Sequence, residues 1–545
     1  MRPPDAFEKE APEDPSAFVR NTAVMSLGTA LSRLTGFLRL TAAAAALGSG
    51  VVASAYNAAN VTPNIVYELV LGGILTSVFV PVFVEWLEKR GRGEAWDLAR
   101  RVLTVAVVGL VLIAIAGILL APWIMRLYYV AAPAPSREAS IEIGTFFLRW
   151  FMPQIVFYGV GAVATGLLNA HRRFAVPMFA PILNNLCVIA TFTAFAWIHT
   201  APSVTPETVS GGQRLLLAVG TTLGVAAMTV ALWPSLRGIG FRWRARFDWN
   251  DEGVRRLARL AAWVAVYVVA NQVAYLVVLV LAGQRPSWYT VYSYAFILFQ
   301  LPYAIFAVSI FTALIPSMSS RWAERDVDGL RELLSRGLRM TAVVVLPAAA
   351  GYVALATPIT ALLLGHGEFR ATALTAETLR AFALGLVFFA SFQLLTRTFY
   401  SMQDSRTPAL VNMASAIVNI GLDVLYVNAL GLGVQGLALG HASSYAFSTT
   451  VAVVLLRRRL RGIDGARIAR SLVGIALGAL AAGGAAWGVW RGLASIAGSG
   501  SIGALLLEVV AAVVAGVLAF LAAALMVRIE EVDELRRQLR ARWRR

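Results

Sequence analysis

The sequence contains repeated apolar runs, each long enough to cross a bilayer. About 20 apolar residues span the hydrocarbon core as an α-helix, and fourteen stretches reach that length. They lie near 23–47, 58–86, 101–122, 144–168, 175–197, 213–235, 257–282, 289–315, 338–364, 379–400, 408–429, 433–456, 469–490 and 502–527. Since 58% of the 545 residues are hydrophobic and 14% are charged, only a membrane protein fits. The sequence predicts an all-α polytopic membrane protein with about 14 transmembrane helices.

The basic residues indicate how these helices are oriented. An even number of spans places both termini on one side, and the loops of that side hold 26 lysines and arginines against seven in the opposite loops. Because cytoplasmic loops are enriched in Lys and Arg, both termini are predicted to be cytoplasmic. Residues 1–22 are interpreted as a disordered cytoplasmic tail and residues 528–545 as a basic one. The net charge of +17 thus belongs to loops, and a nucleic-acid partner is not expected.

Proline positions indicate an internal duplication. Four pairs recur at offsets of 239, 235, 236 and 231 residues: Pro63 with Pro302, Pro81 with Pro316, Pro122 with Pro358, and Pro177 with Pro408. The sequence therefore predicts an N-terminal six-helix lobe at 23–236, a C-terminal six-helix lobe at 254–457 and a C-terminal helix pair forming a groove at 469–527. Because both lobes enter from the cytoplasm, we expect a parallel pseudo-repeat with a cavity between its halves.

The first apolar run carries two arginines in its interior, Arg33 and Arg39. A charged side chain at mid-bilayer costs about 2.5 to 3.5 kcal/mol on insertion scales, so such residues normally face a cavity or a partner. We interpret Arg39 as a cavity residue. For Arg33 two interpretations stay open, namely cavity lining and an ion pair with Glu68 of the second run.

The second run has one polar helical face, formed by Asn57, Asn60, Asn64, Tyr67 and Glu68. Asparagines can join helices by hydrogen bonds, but the glutamate on the same face favours cavity lining. Further intramembrane polar residues are Asn271, Gln272, Gln300, Gln393, Arg397, Asn419 and Asp423. For the uncharged ones, packing is the simpler interpretation. Asp423 is either a coupling-ion site, as Glu68 also could be, or a partner of Arg397.

No pattern typical of an enzyme is present. The histidines (His171, His199, His366 and His441) lie in or beside loops without metal-ligand spacing, and no phosphate-binding glycine loop ends in GK[ST]. Cys187 is the single cysteine, so neither a disulfide within the chain nor a thiolate metal site can form. We therefore expect neither an enzyme nor a metal cofactor.

Four segments together resemble one family. They are "SRLTGFLR", "NAANVTPNIVYELVLGGILTSVFVPVFVEW", "GLLNAHRRFAVPMFAPILNN" and "FYSMQDSRTP", and they are similar to the MurJ/MviN lipid II flippases of the MOP exporter superfamily, with helix 2 most like the actinobacterial branch. The resemblance implies a fourteen-helix fold with a lipid-facing C-terminal groove. It also implies a monomer in the bacterial plasma membrane that moves lipid II from the inner to the outer leaflet by alternating access. Membrane lipids and cell-wall synthesis proteins are further implied partners.

The resemblance also assigns roles to residues. Arg33 and Arg39 match the family's two arginines in helix 1, of which Arg39 would bind pyrophosphate. The chain departs from the family at Tyr67 and Ile297, where the family has arginines, and at Leu40, Ser54 and Gly72, where it has acidic residues. The diphosphate therefore needs other donors, which the sequence offers at Arg33, Asn57, Asn60, Asn64 and Gln300.

An inside-negative membrane potential favours outward movement of an anion by about 2.3 kcal/mol per charge per 100 mV, and we expect it to set the direction, with or without a coupled cation. Three alternatives stay open. They are a flippase for another polyprenyl-linked glycan, a MATE-like cation antiporter and a non-transporting cell-wall scaffold.

Overall fold

The structure is a computed structural model that describes residues 15–71, 80–171, 173–248, 251–497, 501–527 and 529–532. All regular elements in these ranges are helices. Eleven helical stretches among the described residues are long and apolar enough to cross a membrane. The predicted all-α membrane fold is thereby confirmed. Of the other predicted spans, 23–47 and 257–282 lie within helices, and the described parts of 58–86 belong to two helices, with residues 72–79 outside the described ranges.

Between residues 15 and 238, the residues that the structure describes form nine α-helices. They are α1 (Pro15–Leu47), α2 (Val51–Leu71), α3 (Val80–Lys89), α4 (Gly91–Tyr128), α5 (Ala134–Phe151), α6 (Gln154–Ala170), α7 (Ala175–Ile198), α8 (Gly211–Val230) and α9 (Trp233–Gly238). Helix α1 begins earlier than expected, because part of the predicted disordered tail is helical. Its first residue is Pro15, and proline suits this position because its missing N–H would have no helical partner there. Residues 1–14 lie outside the described ranges.

The described residues from 252 onward form nine further α-helices and two π-helical turns. The α-helices are α10 (Glu252–Ala282), α11 (Trp288–Pro302), α12 (Val308–Ala323), α13 (Val327–Leu364), α14 (Thr372–Ser401), α15 (Arg406–Val424), α16 (Gly433–Arg459), α17 (Gly465–Ala497) and α18 (Ile502–Val527). The π-helical turns, Tyr303–Ala307 and Leu425–Ala429, follow α11 and α15. Of the predicted basic C-terminal tail, the structure describes residues 529–532.

Helix boundaries agree with the duplication that the prolines predict. Helices α4 and α13 both have 38 residues, and Pro122 and Pro358 stand at the same position within them. Pro177 and Pro408 are each the third residue of their helices, α7 and α15. The equivalent prolines thus occupy equivalent places in two of the predicted pairs of helices.

The described residues cluster into two compact units. Unit 1 comprises residues 1–127 and 135–269, and unit 2 comprises residues 128–134 and 270–545. The division falls inside α10, whereas the sequence prediction placed the lobe boundary before that helix.

Tyr56 of α2 lies at the centre of unit 1. Its hydroxyl is hydrogen-bonded to Thr221 of α8 at 2.6 Å. Its ring packs edge-on, with centroids 5.3 to 5.6 Å apart, against residues of α5 and α7: Phe147, Phe151 and Phe192. Such contacts add about 0.5 to 1.5 kcal/mol each beyond area burial. They fix α2, which carries the polar face, against the rest of the unit.

Small residues allow close packing in unit 2. A β-carbon on Gly516 of α18 would lie 3.1 Å from the Ala482 carbonyl oxygen of α17, and one on Gly483 would lie 3.3 Å from Ala350 of α13. Close approach at small residues is how membrane helices gain dispersion energy. The chain beyond α18 returns to this bundle, because Arg339 of α13 pairs with Glu531 and with Glu530, the latter at 3.3 Å.

Candidate functional site

The candidate site in unit 1 is a cluster around Arg39. Arg39 is half-buried and lies within electrostatic range of the Tyr158 hydroxyl of α6, which in turn lies near the Asn64 side chain of α2. The ring of Tyr67, one turn beyond Asn64, lies 5.8 Å from the Tyr158 ring, centroid to centroid. The cluster therefore brings a cation, an amide and two phenols from three helices together.

Arg39 and Arg33 differ from five other arginines of unit 1, which form ion pairs. In the part of the chain that the structure describes, neither has a carboxylate within the 4.0 Å of an ion pair. The basic residues of the loops, by contrast, are often compensated, as in the pairs Arg90–Glu252, Arg100–Asp97, Arg101–Asp251, Arg214–Glu142 and Arg246–Asp97. An uncompensated cation in a membrane helix is suited to receive an anion.

The structure does not show the ion pair considered for Arg33 and Glu68. Glu68 is exposed and Arg33 is half-buried, and no ion pair joins them among the described residues. The α1 segment around Arg33 is instead held by Asn185 of α7, whose amide donates to the Ser32 carbonyl at 3.2 Å and to the Thr35 hydroxyl at 3.0 Å. Cavity lining is the interpretation of Arg33 that remains.

The polar face of helix 2 is partly accessible. Asn57, Asn60 and Asn64 are all half-buried, so their amides are neither sealed in the core nor fully solvated. Asn64 also donates a long hydrogen bond of 3.3 Å to the Asn60 carbonyl. Of the family positions at which this chain differs, Tyr67 belongs to the Arg39 cluster, Leu40 and Ser54 are buried, and Gly72 lies outside the described residues.

Unit 2 contains an isolated buried carboxylate. Asp423 of α15 is 0% exposed. Its Oδ1 accepts a hydrogen bond from the Asn419 amide at 3.2 Å, whereas its Oδ2 has no partner among the described residues. A β-carbon on Gly440 of α16 would overlap this carboxylate. A lone buried carboxylate needs compensation by a proton or a cation, because an unpaired buried charge costs several kcal/mol.

The alternative that Asp423 pairs with Arg397 is wrong in this structure. The Arg397 guanidinium lies 5.1 Å above the Phe311 ring, and the described residues show no ion pair between Arg397 and Asp423. Other polar residues of unit 2 serve packing, as the sequence suggested, since Asn412 donates to the Asn271 side chain at 2.8 Å. Gln272, Gln300 and Gln393 are half-buried.

The expectation that all histidines lie in or beside loops is wrong for His441. It lies inside α16 next to Gly440, and its ring is surrounded by five aromatic rings at centroid distances of 4.8 to 6.2 Å: Phe296, Phe299, Phe382, Phe389 and Tyr445. Its Nε2 is buried and has no hydrogen-bond partner among the described residues. The α16 run is apolar enough to predict a span and contains Tyr445, but its sequence does not reveal the four phenylalanines, which come from α11 and α14.

Unit 2 also has an apolar groove of about 440 Å³. Its walls come from the end of α11, the first π-helical turn, α13, α17 and α18, and include Pro302, Phe306, Pro347, Tyr352, Val517 and Phe520. Pro302 has no N–H for the Leu298 carbonyl one turn before it, and the Tyr352 hydroxyl donates to that carbonyl instead. The proline thus explains both the helix irregularity and the position of Tyr352 in the groove wall.

Tyr158 and Glu508 are further residues that the sequence did not single out. Tyr158 carries no local signal, because its contacts are with α1 and α2, far away in the chain. Glu508 of α18 is 1% exposed and its Oε1 has no hydrogen-bond partner in the described part of the chain. Its position as a charged residue inside a strongly apolar run was the sequence signal for this residue. Within the described ranges, no group of three or more His, Cys, Asp or Glu side chains could hold a metal ion.

The fold is similar to that of solved transporters. The structure titled "Lipid II flippase MurJ, inward closed conformation" matches with a TM-score of 0.74 and 18% identity, over 93% of this chain and 99% of that one. An inward-facing MATE family multidrug transporter of the MOP superfamily matches with a TM-score of 0.64 and 14% identity, over 79% of this chain and 98% of that one. These likenesses confirm the predicted polytopic membrane fold.

Sequence comparisons identify the family. The "Probable lipid II flippase MurJ" of Rhizobium meliloti (strain 1021) is 28% identical, over 74% of this chain and 75% of the relative. The "Lipid II flippase MurJ" of Burkholderia cenocepacia is 29% identical over 76% and 77%, and the "Probable lipid II flippase MurJ" of Haemophilus influenzae is 27% identical over 84% and 90%. The family model described as "Lipid II flippase MurJ" matches residues 43–511. The chain therefore belongs to the MurJ family of multi-pass membrane transporters.

Proposed function

We propose that this chain is a lipid II flippase of a bacterial plasma membrane, which moves the undecaprenyl-diphosphate-linked precursor from the inner to the outer leaflet by alternating access. The observation that carries the proposal is the uncompensated Arg39 beside Asn64 and Tyr158. Family membership supports the same substrate, since the relatives are described as lipid II flippases.

The chemistry of the substrate explains why such a cluster is needed. Transfer of an unpaired ionised group into hydrocarbon costs on the order of tens of kcal/mol by Born solvation. The diphosphate must therefore exchange water for fixed donors. Arg39 supplies charge, Asn64 supplies an amide and Tyr158 supplies a hydroxyl. Arg33, Asn57 and Asn60 are half-buried nearby on the same two helices, α1 and α2.

The reduced number of arginines is compatible with transport. A flippase must release its substrate, and each bidentate Arg–phosphate contact is strong. With Tyr67 and Ile297 in place of the family's arginines, binding relies on Arg39, on Arg33 as a further cation and on several neutral donors. We expect weaker binding and faster release than in relatives with the full arginine set. Gln300 is a further donor candidate, located in unit 2.

The apolar groove of unit 2 is suited to the prenyl chain. Its volume of about 440 Å³ is bounded by aliphatic and aromatic side chains, and it accommodates a segment of a polyprenyl chain rather than its whole length. A prenyl segment in the groove exchanges its contacts with bulk lipid for contacts with the apolar walls, and this exchange requires no polar partner. The predicted C-terminal groove at 469–527 is thereby assigned to the substrate's tail.

The direction of transport is proposed from charge. Both termini are placed in the cytoplasm by the excess of basic residues in the loops on their side. A polyprenyl diphosphate is anionic, so an inside-negative potential drives its head group outward by about 2.3 kcal/mol per charge per 100 mV. Unaltered flipping after the potential is dissipated would contradict this part of the proposal.

Asp423 is the better of the two coupling-ion candidates. It is fully buried, and one of its oxygens has no partner among the described residues, whereas Glu68 is exposed. Asp423→Asn keeps the shape and removes the charge. If Asp423 binds a coupling cation or proton, flipping by this variant loses its dependence on the ion gradient. If that dependence is unchanged, the role belongs elsewhere.

The substrate-binding role of Arg39 is tested by complementation. Arg39→Ala should fail to support growth of a strain depleted of its own lipid II flippase, while the protein is still inserted at normal levels. Arg126→Ala is the matched control, since Arg126 lies exposed at the end of α4 and contacts Trp123 at 5.1 Å. Full growth with Arg39→Ala would contradict the role.

Tyr158→Phe provides a finer test of the cluster. It removes one hydroxyl and retains the ring that packs on Tyr67. Loss of a hydrogen bond to a charged group corresponds to about 1.5 to 3 kcal/mol, or roughly 10- to 150-fold in affinity. We expect lipid II binding to weaken within this range. An unchanged affinity would remove Tyr158 from the site.

A further inference from the structure

A second groove, of about 990 Å³, lies between α13, α14 and α17. It shares no lining residue with the groove assigned to the prenyl chain. Two of its lining residues are arginines, Arg380 of α14 and Arg491 of α17, although both helices belong to candidate membrane spans. A groove within the membrane region that contains two cations requires a chemical explanation.

Neither arginine is neutralised by the part of the chain that the structure describes. Arg380 donates to the Val353 carbonyl at 3.2 Å and to the Thr357 hydroxyl at 2.7 Å, and both acceptors are neutral. Arg491 lies over the rings of Trp487 and Trp490, at 5.6 and 5.4 Å from their centroids. No ion pair involves either residue within the described ranges. These contacts orient the guanidinium groups and leave their charges available.

The two arginines lie at similar depth. Helices α13 and α17 run parallel, since Ala342 packs in one cluster with Ile475 and Leu355 in another with Ala486, while Gly483 approaches Ala350. The same register places Thr357, which binds Arg380, close to the level of Trp490. Both charges thus lie toward the ends of α13 and α17 that are remote from Arg339.

The rest of the groove is apolar and has room for a hydrocarbon chain. Leu384 and Leu480 line it, and at Gly484 a β-carbon would meet nothing within 4 Å. Tryptophans beside the charges are typical of the membrane interface. A pair of cations next to tryptophans, above an apolar channel, matches one phosphate head group joined to acyl chains.

We propose that this groove binds one anionic glycerophospholipid, with its phosphodiester between Arg380 and Arg491 and an acyl chain along Gly484. The site is independent of the transported substrate. It makes the stability or activity of the protein sensitive to the anionic lipid content of the membrane. Zwitterionic lipids bind more weakly, because their ammonium group competes for the same phosphate.

Native mass spectrometry of the full chain in detergent tests the proposal, with phosphatidylglycerol as the probe and phosphatidylcholine as the reference lipid. Each basic residue at an anionic lipid surface corresponds to about five-fold in affinity. Arg380→Gln with Arg491→Gln should weaken phosphatidylglycerol binding by about 25-fold. The control pair, Arg285→Gln with Arg370→Gln, removes two exposed charges outside the groove and should leave it unchanged.

A second pair of variants keeps both charges. Gly484→Phe fills the groove, whereas Gly488→Phe adds the same ring one turn along α17, at a glycine that also faces open space but does not line the groove. Only the first should abolish tight phosphatidylglycerol binding. Equal binding by both phenylalanine variants, or by both arginine pairs, would overturn the proposal. So would displacement of phosphatidylglycerol by an equimolar short-chain isoprenyl diphosphate, because the groove would then be a diphosphate subsite.

Discussion

Replacing Glu531 with leucine should detach the segment that follows the last membrane helix. Glu531 is 3% exposed and pairs with Arg339, which is 5% exposed; it also accepts a hydrogen bond from the Ser471 hydroxyl at 3.0 Å. In the variant, the Arg339 guanidinium stays buried and retains Glu530 at 3.3 Å, whose carboxylate is 60% exposed.

The magnitude follows from these two environments. Removing one partner of a buried ion pair costs about 3 to 5 kcal/mol, and the pair of Arg339 with the largely exposed Glu530 carboxylate returns at most about 1 kcal/mol. We expect Glu531→Leu to destabilise the docked segment by about 3 kcal/mol, which corresponds to roughly 150-fold more opening. Replacing Arg339 and Glu531 together by leucine should recover most of this loss, because an apolar pair can replace a buried ion pair at little cost.

Amide hydrogen exchange reports this local opening. The Ile529 amide bonds to the Ala524 carbonyl at 2.9 Å and the Val532 amide to the Ile529 carbonyl at 3.1 Å. Glu530→Gln is the control, since it weakens the half-exposed pair with Arg467 and should accelerate exchange less than about five-fold. Equal exchange rates in Glu531→Leu and Glu530→Gln would refute the reasoning, as would a double variant that is less stable than the single one.

Three further predictions concern the α14–α15 turn and the apolar groove. Partial burial opposes ionisation of Asp404, but the Thr407 amide and hydroxyl and the Arg459 guanidinium outweigh it and lower the pKa of this carboxyl. The exchange protection factor at Thr407 should therefore be full at neutral pH and fall as the pH drops through and below the usual carboxyl range; a flat profile would be contrary evidence. Gln403→Gly relieves a φ of 60° and should raise the free energy of local opening at this turn by roughly 1 kcal/mol. Amide exchange at Asp404 should therefore be slower, and faster exchange would count against this prediction. Tyr352→Phe leaves the Leu298 carbonyl without its donor and should lower the thermal midpoint, at a cost of about 1 to 3 kcal/mol, whereas an unchanged midpoint would show that the bond is not needed.

The apolar runs predicted the helices well because membrane spans require about 20 consecutive apolar residues. Helix interruptions within runs were missed. The predicted span at 144–168 is two helices, α5 and α6, separated at Met152 and Pro153, because proline removes a helical N–H. The π-helical turn after Pro302 has the same cause, and here too the proline was the available signal.

The site was only partly predictable, because its members are distant in the chain. The polar face of α2 and the interior arginines of α1 are visible in the sequence, since the bilayer makes such residues exceptional. Tyr158 is an ordinary aromatic residue until α6 places it beside Asn64 and Arg39. The pair Arg339–Glu531 likewise joins residues separated by 192 positions, which no local pattern encodes. The assignment to an actinobacterial branch stays a prediction.

Lipid II translocation by the purified protein in proteoliposomes tests the central claim most directly. With an inside-negative potential, the wild-type chain should carry fluorescent lipid II across the bilayer, the Arg126→Ala protein should do the same, and Arg39→Ala should fall to the rate of protein-free vesicles. Wild-type vesicles that move lipid II no faster than empty ones, or that move another polyprenyl-linked glycan instead, would contradict the account.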